Sequence, residues 1–252
     1  MRFKYLIVAV ITFLAFNCKH PKVYLSKIEG KQIHIADTLA SDSQIEAFIK
    51  PYREHIEKDL GSVLAYSMDT YSKSDGAFNT AIGNFMADVV YDEANPIFKS
   101  RTGNNIDMVI LNHGSIRSII SKGKITTKTA YEIMPFENSI IVVALKGTQI
   151  DRLISFLSKA KMAHPISKLK LVINKNFDVV DTSINGEKIE PNRIYYVATN
   201  DYLYNGGDGM NFFKPNEGIF RLHYKIRNAL IDNFKEVDTI NPVRDDRFIQ
   251  LK

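Results

Sequence analysis

Cysteine is nearly absent from this chain and tryptophan wholly so, with one Cys and no Trp in 252 residues. The lone Cys18 makes no intrachain disulfide, which excludes a cross-linked scaffold. Long apolar runs are scarce as well. The one unbroken stretch, Leu6 to Phe16, is about a dozen residues, too short to span a bilayer comfortably. Histidine is thinly spread: His20, His34, His55, His113, His164 and His223 stand apart from one another. No Ser-His-Asp order, Cys-His pair or Walker loop stands out. Neither sign of charge dominates. The formal charge is +5, with Arg2 and Lys4 both at the N-terminal stretch, and so mild a balance gives no argument for a nucleic-acid partner.

What is present is an ordinary soluble composition, 45% hydrophobic and 24% charged. The length suits one large domain or two small ones, with a buried core. Arg2, Lys4 and the apolar run read as a targeting segment over residues 1–17. Cys18 follows directly. This placement is similar to a bacterial lipoprotein signal, in which the cysteine becomes the lipidated N-terminus, although Ala15-Phe16-Asn17 departs from the usual small residue before it. A plain signal peptide or an uncleaved anchor is the alternative. Residues 18–40 then form a tether with room for one edge strand, and 41–252 a single domain.

Hydrophobic periodicity predicts the elements of that domain. A helix over 41–60 carries Ile45, Phe48, Ile49, Tyr52 and Ile56 at helical spacing, capped by Ser41 or Asp42 and kinked or split at Pro51. A strand follows at 63–68. The strongest helix runs from Asn79 to Phe98; Gly83 within it argues for close packing, and Asn84 and Asp88 share a face from which they are suited to brace a loop at Asn112. Further strands are expected at 106–111, 139–145, 169–173, 177–182, 187–189, 194–199 and 247–251. Helices are expected from Thr126 or Thr127 to Ile133, over 147–161 and over 222–234. Asn185-Gly186 signals a hairpin turn. Strands and helices interleave without strict βαβ regularity, which predicts an α+β fold with a mixed sheet.

Two stretches carry the candidate chemistry. Asn112-His113-Gly114-Ser115-Ile116-Arg117 follows the apolar run ending at Leu111, and Asn200 to Gly209 follows the run ending at Ala198. Both read as loops leaving the ends of buried strands, where binding residues tend to sit. Arg117 suits a polar edge or a phosphate through its planar fork, or is an ordinary surface arginine. Asn112 suits a base edge or a turn cap. Phe136, after Pro135, and Tyr202 lie in loops and off any apolar stripe, so they suit the two faces of a planar ring better than a core. Asp208 suits ribose hydroxyls, while Gly206-Gly207 with it forms a tight turn. His113 is read as a loop residue, not a metal ligand.

The order Asn-x-Gly-x-Ile-Arg, then Pro-Phe, then Tyr-Leu-x-Asn-Gly-Gly-Asp-Gly resembles the C-terminal, substrate-binding domain of the 5′-nucleotidases. The resemblance also takes in Ile82 to Asp88 and Leu145-Lys146-Gly147, and covers about 60–252. It implies that Phe136 and Tyr202 stack on the base, that Asn112, Arg117, Gly206 and Gly207 shape the nucleotide site, and that Asp208 accepts from the ribose. The Arg and acidic residue often found before the Gly-Asn helix are replaced here by Gly76-Ala77-Phe78-Asn79. The family's Asp-x-His, Gly-Asn-His-Asp/Glu and Gly-His-x-His segments, which hold two catalytic metals, do not occur in this sequence. The expectation is therefore a nucleotide- or nucleoside-binding component with no cofactor of its own, no catalytic residue of its own, and divalent metals on a separate metallophosphatase chain. The alternative is a binding lipoprotein with no catalytic role. Cys18 would anchor it to the membrane, exported to the bacterial cell envelope on the periplasmic side or the surface.

Overall fold

Strands buried on both faces organise the chain. In the computed structural model, which describes residues 23–36 and 38–251, five strands pair in the order β5-β2-β8-β4-β9. They are β2 (Met108–Ile110), β4 (Ser139–Lys146), β5 (Ile166–Ser167), β8 (Ile194–Asn200) and β9 (Gly218–Lys225). Strand β2 runs parallel to β8, whereas β4 is antiparallel to both β8 and β9. The fold is thus α+β with a mixed sheet, as the interleaved elements predict.

Successive side chains on a strand face opposite ways, so a run with both faces covered must be apolar throughout. Val109, Val142 and Ala198 enter one core with α2 (Ala81–Thr102) and α6 (Ile226–Glu236). Met108, Ile110, Ile141, Val143 and Val197 enter the other with α4 (Gly147–Ala160) and the Phe212-Phe213 pair. Helix α2 buries Ile82, Met86, Val90 and Phe98 completely, each worth about 1.5–3 kcal/mol in transfer from water. Thr80 caps it by accepting from Gly83 N–H, and Gly103 closes it in the left-handed region. A Cβ on Gly83 would lie 2.8 Å from the Thr80 hydroxyl and 3.6 Å from Pro165, so close packing does explain that glycine.

Two three-stranded sheets flank this layer. One has the order β10-β1-β3, from β1 (Val63–Ser67), β3 (Gly123–Thr126) and β10 (Thr239–Ile240). The other has the order β11-β6-β7, from β6 (Leu169–Ile173), β7 (Val179–Ile184) and β11 (Phe248–Gln250). Thr126 caps α3 (Thr127–Ile133) with a capping box.

The chain divides into Met1–Ile49 and Lys50–Lys252, with everything above in the second unit. The first unit has no strand among its described residues, so the edge strand expected before residue 40 is absent there. The targeting segment and Cys18 lie outside the described residues. Helix α1 (Ser43–Leu60) crosses the boundary and begins with Asp42 accepting from Gln44 and Ile45 N–H at 2.8 and 3.2 Å. It continues through Pro51 as one element, so of the kink or split expected there the split does not occur, and Ile45, Phe48, Tyr52 and Ile56 are exposed. Among the described residues no helix is long and apolar enough to cross a membrane.

Two further expectations are corrected. The helix expected over 222–234 begins only at Ile226, because β9 runs on through a bulge at Leu222–Tyr224, with His223 at φ 55°, to pair Lys225 with Ser139 of β4. The strand expected at 187–189 reduces to one bridge, Ile184 to Glu187, across Asn185 and Gly186 at φ 52° and 80°. The chain then turns to pack against α4, where a Cβ on Gly147 would fall 2.0 Å from the Glu190 carbonyl oxygen.

Candidate functional site

Strand direction places the candidate residues together. The C-terminal ends of β2 and β8 lie at the same edge of the sheet because the two strands are parallel. Strand β4 is antiparallel to β8, with Ile140 opposite Asn200, so the loop before β4 emerges beside the loop after β8. Three loops, 111–117, 134–138 and 201–210, therefore meet at one edge. They enclose a cavity of about 630 Å³ lined by Asn112, Arg117, Phe136, Tyr202 and Asp208, together with Glu137 and Asp201.

Each loop is fixed by its own chemistry. The Asn112 carboxamide is 7% exposed and accepts from Asn200 Nδ2 at 3.3 Å, tying the first loop to the third. The Asn200 carboxamide oxygen in turn accepts from Leu203 N–H at 2.8 Å, capping the short helix α5 (Asp201–Tyr204). The Asn112 carbonyl accepts from the Ser115 hydroxyl at 2.7 Å. His113 braces the loop from behind: its backbone N–H donates to His164 Nδ1 at 3.3 Å, and its ring meets the Ala163 carbonyl at 3.1 Å. Burial pushes the His164 pKa down, which suits the acceptor role of its ring nitrogen. His113 is accordingly a loop residue.

Phe136 and Tyr202 present exposed rings to the cavity, at 42% and 45% exposure. Large aromatics left this open on two separate loops are suited to receive a flat ligand. The Arg117 guanidinium lies 6.0 Å from the Phe136 ring centre, and among the described residues it makes no hydrogen bond or ion pair. Gly206 and Gly207 do not line the cavity; they shape its wall. Gly206 has φ 93°, and a Cβ on Gly207 would lie 2.5 Å from the Tyr202 ring. Only glycine at 207 lets the ring lie against the backbone there. The turn also brings Asp208 round, so that the Tyr202 hydroxyl donates to Asp208 Oδ1 at 2.8 Å.

Sequence reasoning missed Asp201 and Asn138, which join the second and third loops through Asn138 Nδ2 donating to Asp201 Oδ1 at 2.9 Å. It also missed Glu137 and Arg227. Lys225 and Arg227 both bond the Glu137 carboxylate and hold its pKa down, to about 2. No local motif marks these residues, because Arg227 arrives from α6, 90 residues away from Glu137. Asn84 and Asp88, by contrast, do not brace the Asn112 loop. Asn84 Nδ2 donates to the Val243 carbonyl at 3.0 Å, and Asp88 takes a two-pronged bond from Arg247 at 2.9 Å on each oxygen. Both serve the C-terminal segment. Phe78, in the stretch where charged residues were missing, packs its ring 5.1 Å from Phe248, away from the cavity.

The cavity's donors do not fit a pair of divalent metals. Asp208 is held by Tyr202 and Asp201 by Asn138, and no histidine lines the space. Among the described residues no group of three or more His, Cys, Asp or Glu is arranged to hold a metal ion. What the arrangement offers is two ring faces, one guanidinium, the carboxamides of Asn112 and Asn138, and the carboxylates of Glu137, Asp201 and Asp208, each already holding a partner.

The hydrogen bond from the Tyr202 hydroxyl to the Asp208 carboxylate raises the phenol pKa, because ionising would lose that bond and also set two negative charges together. Asp208→Asn should therefore let Tyr202 ionise at lower pH. Ultraviolet difference titration against Asp208→Asn/Tyr202→Phe isolates this one phenol; an unmoved titration would show that the hydrogen bond does not form in solution.

Comparison with known proteins fits this geometry. Residues 60–215 match the family model of the 5′-nucleotidase C-terminal domain. The trifunctional nucleotide phosphoesterase of Bacillus subtilis is 33% identical over 148 residues, which cover 53% of this chain and 10% of that protein. A cell wall protein of Listeria monocytogenes is 26% identical over 188 residues, covering 60% of this chain and 24% of the relative. Among solved structures, a 5′-nucleotidase precursor from Thermus thermophilus superposes with a TM-score of 0.68 at 22% identity, over 82% of this chain and 43% of that one. The chain thus spans less than half the length of each of these relatives. Its fold is shared with the Thermus structure, and by its match over more than half of its residues the chain belongs to the 5′-nucleotidase C-terminal domain family.

Proposed function

We propose that this chain is the nucleotide-binding component of a 5′-nucleotidase-type phosphoester hydrolase, and that the dimetal phosphatase domain it works with is on a separate chain. The observation that carries this reading is the meeting of Phe136 and Tyr202, from loops on either side of the sheet's end, at a cavity that also presents Asn112, Arg117 and Asp208. In this reading the base lies between the two rings and Asn112 bonds its edge. Asp208 accepts from the ribose with its free oxygen, and Arg117 meets the phosphate side as the cavity's one lining cation. The chain's own residues bind and orient; they carry no bond-breaking step. A pair of divalent metals on the partner would supply the activated water and stabilise the leaving oxygen. The apolar stretch ending at Cys18 supports export and anchoring through a lipidated cysteine, and the Listeria relative is described as a cell wall protein.

Truncating either ring tests the binding site. Phe136→Ala and Tyr202→Ala should each weaken adenosine by about 1–3 kcal/mol, the scale of one base–aromatic stack, while Tyr202→Phe keeps the stack. Calorimetry with adenosine and 2′-deoxyadenosine should show the second ligand insensitive to Asp208→Asn. Unchanged affinity in both alanine variants, with the fold intact, would place the ligand elsewhere.

The division of labour has its own test. The purified chain with Mg²⁺ or Mn²⁺ should leave AMP intact, and hydrolysis should appear on adding a metallophosphatase chain. Turnover by this chain alone refutes the split. Binding without any gain from a partner would favour a lipoprotein that only captures nucleosides.

Cys18→Ala should move the protein out of the membrane fraction and abolish labelling by a palmitate analogue. Unchanged partitioning, with no label on the wild type, would refute the lipid anchor.

A further inference from the structure

An arginine buried to 4% exposure stands directly behind the Phe136 wall. Arg227 lies in the first turn of α6, which follows β9; Lys225 at the end of β9 is paired with Ser139 at the start of β4. Its Nη1 donates to the Pro135 carbonyl at 3.2 Å and reaches the Phe136 carbonyl at 3.5 Å. Its Nη2 bonds the Glu137 carboxylate. The guanidinium plane lies 4.1 Å from the centre of the Tyr131 ring, on α3 just before this loop. Three successive residues are thus gripped by one planar group.

The loop's far end is held by Asn138 Nδ2 donating to Asp201 at 2.9 Å and by Ile226 N–H donating to the Asn138 carbonyl at 3.1 Å, and Lys225 shares Glu137, but among the described residues its middle has no other hydrogen-bonded tie. Pro135 has no N–H, and among the described residues no other group donates to the carbonyls of Pro135 or Phe136. Burying a guanidinium is costly unless its donors are met, and Arg227 Nε has no partner here. Such a residue is a poor choice for packing alone. A rigid fork is, however, the group that satisfies two adjacent carbonyls and a carboxylate together, which lysine's point charge does not.

We propose that Arg227 is a positioning residue for ligand binding: it fixes the Pro135–Glu137 segment so that Phe136 faces Tyr202 across the cavity, and Glu137 serves as its counter-ion. The proposal rests on the binding site proposed above. Arg227 does not line the cavity; of the residues it grips, Phe136 and Glu137 do.

Two measurements test it. The first needs no ligand: 4-fluorophenylalanine placed at position 136 should give a single sharp fluorine resonance in the otherwise wild-type chain. Arg227→Met should shift or broaden it, and Arg227→Lys should do so less. The second is a double-mutant cycle read by adenosine titration. Arg227→Met should weaken adenosine at least fivefold and Arg227→Lys less. In the Phe136→Ala background, adding Arg227→Met should change nothing further. Circular dichroism and the thermal midpoint identify any variant that has lost its fold; Arg227→Lys and Glu137→Gln, which also frees one prong of the grip, then carry the test. An unmoved fluorine line in the folded variants overturns the positioning role, as do losses that simply add in the cycle. If Phe136→Ala binds adenosine as the wild type does while the fluorine line moves, the stacking site has failed and with it the effect on affinity, whereas the hold on the loop stands.

Discussion

Strand β8 has no free edge. It takes β2 in parallel on one side and β4 in antiparallel on the other, and seven residues of β4 pair with it in unbroken register from Ile140 to Lys146. Both faces of these strands are largely covered, so charged side chains are kept from their middles. Polar chemistry is displaced to the strand ends, and the pairing decides which ends coincide. Parallel β2 brings the Asn112 loop beside the Asp201 loop. Antiparallel β4 brings the loop before it to the same edge, and β9, antiparallel to β4, delivers Arg227 there as well. A one-residue slip of β4 would turn Val142 and Val143 to the wrong cores and carry Phe136 away from Tyr202.

At that edge the loops are joined by polar side chains that are themselves satisfied. Asn200 accepts from its own helix and donates to Asn112; Asn138 donates to Asp201. The Asn200–Asn112 and Asn138–Asp201 links cross from one loop to another, and each buried carboxamide would cost on the order of 1–3 kcal/mol if left unpaired. The rings of Phe136 and Tyr202 remain exposed, while their backbones are held. Rigid loops bearing open aromatic faces lose little conformational freedom when a flat ligand is bound.

Much of this was legible in the sequence. The runs at 108–111, 140–145 and 194–198 contain no charged or amide side chain, as two-sided burial favours, and the loop residues after or before them are those that meet at the cavity. The corrections have one physical source. Leu222 to Lys225 have a helical pattern of their own, yet β9 runs on through a bulge to pair Lys225 with Ser139 of β4, and that pairing outweighed local propensity. Asn84 and Asp88 share a helix face as expected, but which loop that face meets is set by the path of residues 243–247. Arg227 shows no motif at all, since its partners lie about ninety residues upstream. Periodicity reports which side of an element is buried; it does not report what waits there.

The balance of charge in the cavity bears on what kind of ligand it suits. Three carboxylates line it, from Glu137, Asp201 and Asp208, against the single guanidinium of Arg117. Glu137 is neutralised by Lys225 and Arg227, and the other two are partly occupied by Asn138 and Tyr202. A polyphosphate would find a single unpaired lining cation here, whereas an uncharged, flat, hydroxyl-bearing group would meet two ring faces and acceptors with capacity to spare. One anionic group at the rim, near Arg117, is the most that this arrangement favours. The proposed nucleotide reading accordingly places the base and ribose within the cavity and leaves a phosphate at its rim.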